Sequence, residues 1–317
     1  MRRRNSRCLA LFFGLFAIGL AMSGCGSPGK FNEGTPLNVP SPLASSSAPP
    51  LASAGALDHV VIIVEENKSA GSVIGNPDAP YFNSLAAASA LATNYTAVTH
   101  PSLPNYLAMT SGTTAGITDD CNPPGGSCRA RVRSIADEIY ASGRTWKMYA
   151  EGMPSPCAPR NSGRYAVKHN PFLYFPSVTD DAAYCAEHVV PFTQLSRDLA
   201  RGSSLPDFAF ISPDLCHDMH DCSVRTGDAW LSRVVPTILA SAAYTGRNSL
   251  LVITWDEGSR SDNRVSTIFA GPAARSGVRS ETAYSHYSLL HTIEKEWALA
   301  PLTDRDRNAA TMGDLLR

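Results

Sequence analysis

HVVIIVEEN, residues 59–67, sets five β-branched residues in a row and then stops abruptly in two carboxylates and an amide, Glu65, Glu66 and Asn67. A continuous apolar run of this length, without polar alternation, reads as a strand buried on both faces, as in the interior of a parallel sheet. Three further runs have the same character: DFAFIS (207–212), SLLVITW (249–255) and STIFAG (266–271). Between and after them, amphipathic stretches at 79–91, 132–142, 192–201, 228–241 and 285–297 read as helices. Alternation of this kind predicts an α/β protein with a mostly parallel sheet covered by helices. No internal repeat is visible, and 317 residues of 44% apolar composition suffice for one large core and one main domain.

The residues just past each strand carry the chemistry. In open parallel sheets, ligands bind beyond the carboxyl ends of the strands, where loops converge and helix N-termini point. Here 59–64 runs into Glu65-Glu66-Asn67, 249–255 into Asp256-Glu257, and 207–212 into Pro213-Asp214 and the loop CHDMHDC (216–222). The bland alternative is that polar residues simply terminate these strands, with Glu65 in particular facing solvent. Glu66, Asn67, Asp256 and Glu257 bring four hard oxygen ligands from two strands, a set suited to a divalent cation. The loop adds Asp214, His217, Asp218, His220 and Asp221, a density of ionisable groups that is costly unless a cation or a shared proton compensates. In SHYSLLHTIEKEW (285–297), Ser285 is the expected N-cap, His286 lies in the first turn toward the same edge, and His291 reads as a packing residue.

THPSLPNY (99–106) frames one serine, Ser102, between two prolines. Pro104 suits the first turn of a helix, which puts Ser102 just before its N-terminus, where free N–H groups favour an anion. The hydroxyl there is a helix cap or a nucleophile, and a nucleophilic serine needs a base or a metal to hold its alkoxide. The sequence has no G-x-S-x-G elbow, no Walker A loop and no H-E-x-x-H motif. Metal-assisted phosphoryl transfer to serine, followed by hydrolysis, is the chemistry left.

A net charge of −1, with no Lys/Arg cluster beyond the first residues, argues against a nucleic-acid partner. Arg2 to Arg4 lead into the apolar run Leu9 to Met22, short for a membrane span and typical of an export signal. The run ends at Cys25 in a lipobox-like context, so residues 1–24 read as a lipoprotein-type signal peptide, with Cys25 lipidated as a membrane anchor; the alternative is an ordinary cleavage site with an incidental cysteine and a secreted protein. Residues 25–55, rich in Ser, Pro and Ala, read as a flexible spacer, and 56–317 as the catalytic domain. Six of the eight cysteines remain, and in an exported domain they suggest disulfides; proximity favours Cys121 with Cys128, Cys157 with Cys185, and Cys216 with Cys222.

EENKS, HPSLPNY, KHNPF, DMHD, GDAWL, TWDEG and SHYSLL resemble, in order and spacing, the phosphoesterase family of bacterial acid phosphatases and phospholipases C, within the alkaline-phosphatase-like superfamily. The likeness runs from about Leu57 nearly to the C-terminus and is strongest to the secreted acid phosphatases of mycobacteria. It implies an α/β/α sandwich and a divalent metal ion, one or two, held by Glu66, Asn67, Asp256, Glu257 and the nucleophile Ser102. It also implies a phosphoryl contact from Asn105, an active-site set of His100, Lys168, His169 and Asp218, and proton donation to the leaving oxygen by His220 or His286. Lys68 stands where related sequences carry Arg. The implied function is an exported phosphomonoesterase, acting as a monomer on phosphate esters that include membrane lipid head groups such as phosphoinositides. A phospholipase C-type phosphodiesterase and a non-catalytic phosphate- or metal-binding surface lipoprotein are the rival readings.

Overall fold

The computed structural model describes residues 56–200 and 205–317. The expected signal peptide, the spacer and Cys25 lie outside these residues. The described strands are β1 (Val60–Glu65), β2 (Ala90–Thr96), β3 (Trp146–Ala150), β4 (Val189–Pro191), β5 (Phe208–Ser212), β6 (Leu250–Trp255), β7 (Arg264–Ala270) and β8 (Arg279–Ser280). They form one sheet in the order β4-β3-β5-β1-β6-β7-β2-β8. Only β7 runs antiparallel, to both β6 and β2, so the sheet is mostly parallel, as the apolar runs imply. β1 lies between β5 and β6, fully buried along its length, which is why its residues need no polar alternation.

Helices cover both faces. Tyr106, from helix Ser102–Ser111, meets Phe210 of β5 at 6.1 Å between ring centroids, and helix His286–Glu296 packs beside it. On the other face, Phe82 of helix Pro80–Ala88 meets Trp255 edge-on at 5.0 Å, with helix Val224–Leu239 alongside. The α/β/α sandwich is therefore present. Side chains alternate across a strand, so Glu65, in register with Trp255, points to this second face, while Glu66 turns to the first.

Four strands are not foreshadowed by the apolar runs. β3 reads WKMYA, without a β-branched residue, and its Lys147 is stabilised by a 2.8 Å ion pair with Asp198. β2 reads ALATNYT, and its first residues fall inside the stretch expected to be helical; that helix ends at Ala88 because Ser89 takes an extended conformation. β4 and β8 are short outer strands whose pairing comes from tertiary context. The disulfides Cys121–Cys128, Cys157–Cys185 and Cys216–Cys222 are all formed, in the pairing that proximity suggests.

Candidate active site

Ser102 is the first residue of its helix, with Pro101 as N-cap, rather than the residue before it. Its hydroxyl does not cap the helix. It donates instead to Glu66 Oε2 at 3.1 Å, across the end of β1. Tyr106, one turn along the same helix face, donates to the other oxygen, Glu66 Oε1, at 2.6 Å. Helix and strand end are thus joined through one carboxylate that is completely buried.

The turn after β1 brings Asn67 into a left-handed conformation (φ 53°), and its backbone N–H donates to Asp256 Oδ1 at 3.1 Å. Asp256 follows β6, whose residues pair with β1 in register up to Glu65 and Trp255, so the two strands release their acidic ends side by side. Glu257 takes a 2.9 Å contact from His100 Nδ1 and a 3.3 Å hydrogen bond from Asn105 Nδ2. The Asn105 amide is otherwise committed to its own loop: Oδ1 accepts from Val98 and Thr99 N–H, and Nδ2 donates to the Thr99 and Pro101 carbonyls. Its observed work is to fold the 98–101 segment around the serine.

His169 is stacked on Tyr106 and lies between two acids, with Nε2 3.2 Å from Glu66 Oε1 and Nδ1 3.2 Å from Asp218 Oδ2. Burial, with the charges of Lys168 and His220, holds it well below the usual histidine range, so it is neutral. His220 sits 5.9 Å from it, ring to ring, and is oriented by Asp221, whose Oδ1 is 2.7 Å from Nδ1. Asp218 ties the loop to β1 by accepting the Glu66 N–H on its carbonyl at 2.8 Å. Lys168 reaches Asp120 Oδ2 at 2.8 Å, and Asp120 Oδ1 accepts the Leu103 N–H at 2.9 Å.

Several expectations are corrected. His286 cannot hand a proton to a leaving group, because it is fully buried with both ring nitrogens engaged, Nδ1 with the Tyr95 hydroxyl at 3.0 Å and Nε2 with the Asp256 carbonyl at 2.6 Å. Burial lowers its pKa to about 4; it is a neutral strut behind Asp256. Glu65 does not face solvent but is buried on the opposite face from Glu66. The CHDMHDC loop divides: Asp218 and His220 turn to the Ser102 side, whereas the Asp214 backbone N–H donates to Glu151 Oε2 at 3.0 Å and His217 Nδ1 lies 2.9 Å from the same oxygen. Trp230 donates to the other Glu151 oxygen at 3.1 Å, so this second group is held by protein partners. GDAWL is scaffolding around it, since Asp228 accepts from the first turn of helix Pro80–Ala88 and a Cβ on Gly227 would fall 2.4 Å from Met219. Lys68 braces the same loop through the Met219 carbonyl at 2.7 Å. His291, as expected, serves packing, with Nδ1 2.8 Å from the Ala309 carbonyl.

Sequence reading missed Tyr106, Tyr95, Glu151 and Asp120. Tyr106 was legible in principle, four residues after Ser102 on the same helix face. The others come from strands or loops with no local signal.

Glu66, Asp218, Asp256 and Glu257 share one buried region, and burial raises each above the usual carboxylate range: Asp256 to about 8, helped by Glu257, Glu257 to about 7, helped by Asp120, and Asp218 to about 7. Lys168 eases Glu66 and Glu257. Asp256 Oδ2 and Asp218 Oδ2 are buried without a hydrogen-bond partner among the described residues. A set of hard oxygen donors that repel one another, with two left unanswered, fits a divalent cation on physical grounds.

The phosphoesterase family model matches residues 75–300. The chain is 38% identical over 275 residues to the phosphatidylinositol-3-phosphatase of Mycobacterium tuberculosis, covering 86% of this chain and 85% of that protein. It is 34% identical to the phosphate-repressible acid phosphatase of Penicillium chrysogenum over 69% of this chain, which spans about half (54%) of that longer protein. In fold it resembles an alkaline phosphatase superfamily protein of Vibrio parahaemolyticus, with TM-score 0.57 and 10% identity over 78% of this chain and 68% of the other. It also resembles murine ectonucleotide pyrophosphatase/phosphodiesterase 5, with TM-score 0.54 and 10% identity over 82% of this chain and all of the other. With the family model spanning most of the domain that builds the Ser102 cluster, the chain belongs to the phosphoesterase family, hydrolases that act on phosphate ester bonds.

Proposed function

We propose that this chain is an exported, metal-dependent phosphomonoesterase that uses Ser102 as nucleophile and passes through a phosphoserine. The observation that carries this reading is the Ser102 hydroxyl, set at a helix N-terminus and hydrogen-bonded to Glu66 within a buried carboxylate cluster. Glu66, Asn67, Asp256, Glu257 and Ser102 would hold a divalent cation, which lowers the pKa of a bound alcohol and offsets phosphoryl charge.

The chain's own residues supply the rest. Glu66 Oε2 orients the hydroxyl by accepting its proton, with Tyr106 fixing the carboxylate. Asn105 and Pro101 hold the preceding loop, so the serine meets phosphorus from a fixed direction. Lys168 and the Leu103 N–H, which Asp120 holds in the structure, would turn to the phosphoryl oxygens of a bound substrate. His220, partly exposed and oriented by Asp221, donates the proton to the leaving alcohol. Water then attacks the phosphoserine and releases phosphate. The name of the mycobacterial relative supports phosphoinositides among the substrates, and lipidation at Cys25 would place the domain near such head groups. Among the described residues, no helix is long and apolar enough to cross a membrane.

Replacing Ser102 by Ala is expected to lower hydrolysis of an aryl phosphate by roughly a thousandfold or more while leaving the circular dichroism melt in place. Retained turnover would refute the nucleophile assignment. A panel of phosphate monoesters, a phosphatidylinositol phosphate and phosphatidylcholine separates the monoesterase from a phospholipase C.

A further inference from the structure

The first turn of helix Ser102–Ser111 already carries an anion. Leu103 is its second residue, one of the positions whose N–H has no intrahelical acceptor, and that N–H is taken by Asp120 Oδ1 at 2.9 Å. The other oxygen of the same carboxylate takes the Lys168 ammonium at 2.8 Å. A helix-terminal amide and an ammonium converging on two oxygens of one planar anion, one residue from a nucleophilic hydroxyl, is the donor arrangement a phosphoryl group would use.

The placement of Asp120 is built rather than incidental. The next residue, Cys121, is bonded to Cys128, and the Tyr174 hydroxyl donates to the Cys121 carbonyl at 2.8 Å, so the loop is anchored twice at the residue that follows Asp120. The pair is also reachable: the side chains of Asp120 and Lys168 are 27% and 21% exposed, unlike the sealed acids beneath them. Asp120 adds negative charge near Glu257, and Lys168 counters it.

We propose that Asp120 is an internal competitor for the phosphoryl group. Its carboxylate holds the Leu103 N–H and Lys168, and a phosphate ester or inorganic phosphate gains those donors only by displacing it. The exchange is anion for anion, with no bond made or broken, and its consequence is weaker binding of small phosphate, including the product, than the donors alone would give. Substrates with further contacts outside this cradle tolerate the competition better than free phosphate does. The inference rests on the phosphomonoesterase reading for the identity of the ligand.

The alternative is that Asp120 merely positions Lys168, and the two differ in sign. Inorganic phosphate binding to the full chain is measured by titration calorimetry for the native protein, Asp120→Asn and Asp120→Ala, with melting curves to confirm folding. A competitor predicts phosphate binding on the order of tenfold tighter in Asp120→Asn, a gain that disappears when Lys168→Gln is added. Unchanged or weaker phosphate binding in a folded Asp120→Asn protein overturns the proposal. Hydrolysis of an aryl phosphate by the native chain is assayed separately. A native chain without turnover defeats the phosphomonoesterase reading, whereas the sign of the phosphate shift alone judges Asp120.

Discussion

The two ends of helix Ser102–Ser111 each meet buried acids, and they use them oppositely. At the N-terminus, Glu66, Asp256 and Glu257 converge with a hydroxyl, an ammonium and imidazoles, and Asp256 Oδ2 is left without a hydrogen bond among the described residues. At the C-terminus, Gly112 (φ 69°) closes the helix against Thr303 and Asp306, whose side chain lies beside Glu294. There Thr303 hydrogen-bonds Asp306, the Leu302 N–H donates to Glu294 at 3.2 Å, and burial with the charge of Asp306 raises Glu294 to about 8, so it is held as the neutral acid. A raised carboxyl pKa is common to both ends. Both ends also keep buried carboxylate oxygens without a hydrogen bond among the described residues, Asp256 Oδ2 at one and Glu294 Oε2 and Asp306 Oδ2 at the other; what distinguishes the site is that its acids face a hydroxyl, an ammonium and imidazoles able to handle a ligand.

The largest expected contrast comes from Asp256→Asn. The amide keeps the acceptor for the Asn67 N–H but removes a ligand of the proposed cation, so phosphatase activity is expected to fall by roughly a hundredfold or more. The same change relieves a buried charge, and the metal-free variant should melt higher than the metal-free native protein at about pH 8. An unaltered activity would remove Asp256 from the site.

Next in size is Gly112→Ala at the closed end. A Cβ there would fall 2.2 Å from Asp306 Oδ1 and 2.8 Å from Thr303 Oγ1, at a positive φ, and the expected cost is about 2–4 kcal/mol in chemical denaturation. A loss below about 0.5 kcal/mol would mean that the end is not closed as described.

The smallest effect concerns pH. Glu294 has its folded pKa raised from 4.5 to about 8, so its stabilising contribution is complete below the unfolded carboxyl value and is lost as pH rises through about 8. Glu294→Gln cannot ionise, and its melting temperature should fall less than that of the native protein between about pH 6 and about pH 9. Parallel pH profiles would show that the pair does not hold a proton.

Much of this was legible along the chain. Runs such as VVIIV and LLVIT declare central strands because burial on both faces permits no polar residue, and the acids at their ends must emerge at one sheet edge. β3 and β2 were not legible, since Lys147 and Asn94 read as polar interruptions until Asp198 and the Glu281 carbonyl supply their partners. Among site residues, Ser102, Glu66, Asn67, Asp256 and Glu257 are marked by local pattern. The roles of His286 and Asn105 are not, because they depend on which groups occupy their nitrogen and oxygen atoms.

The sequence by itself determined the alternation of strands and helices, the acidic strand ends, the stiff frame around Ser102 and the local cysteine pairs, all matters of neighbours in the chain. Only the tertiary structure decided that Glu66 faces Ser102 while Glu65 faces away, that His286 is a strut, and that Asp120, eighteen residues beyond Ser102, holds the first-turn amide of the same helix. Those outcomes hinge on strand pleat, burial and the pairing of groups distant in sequence, where a difference of one residue reverses the direction of a side chain.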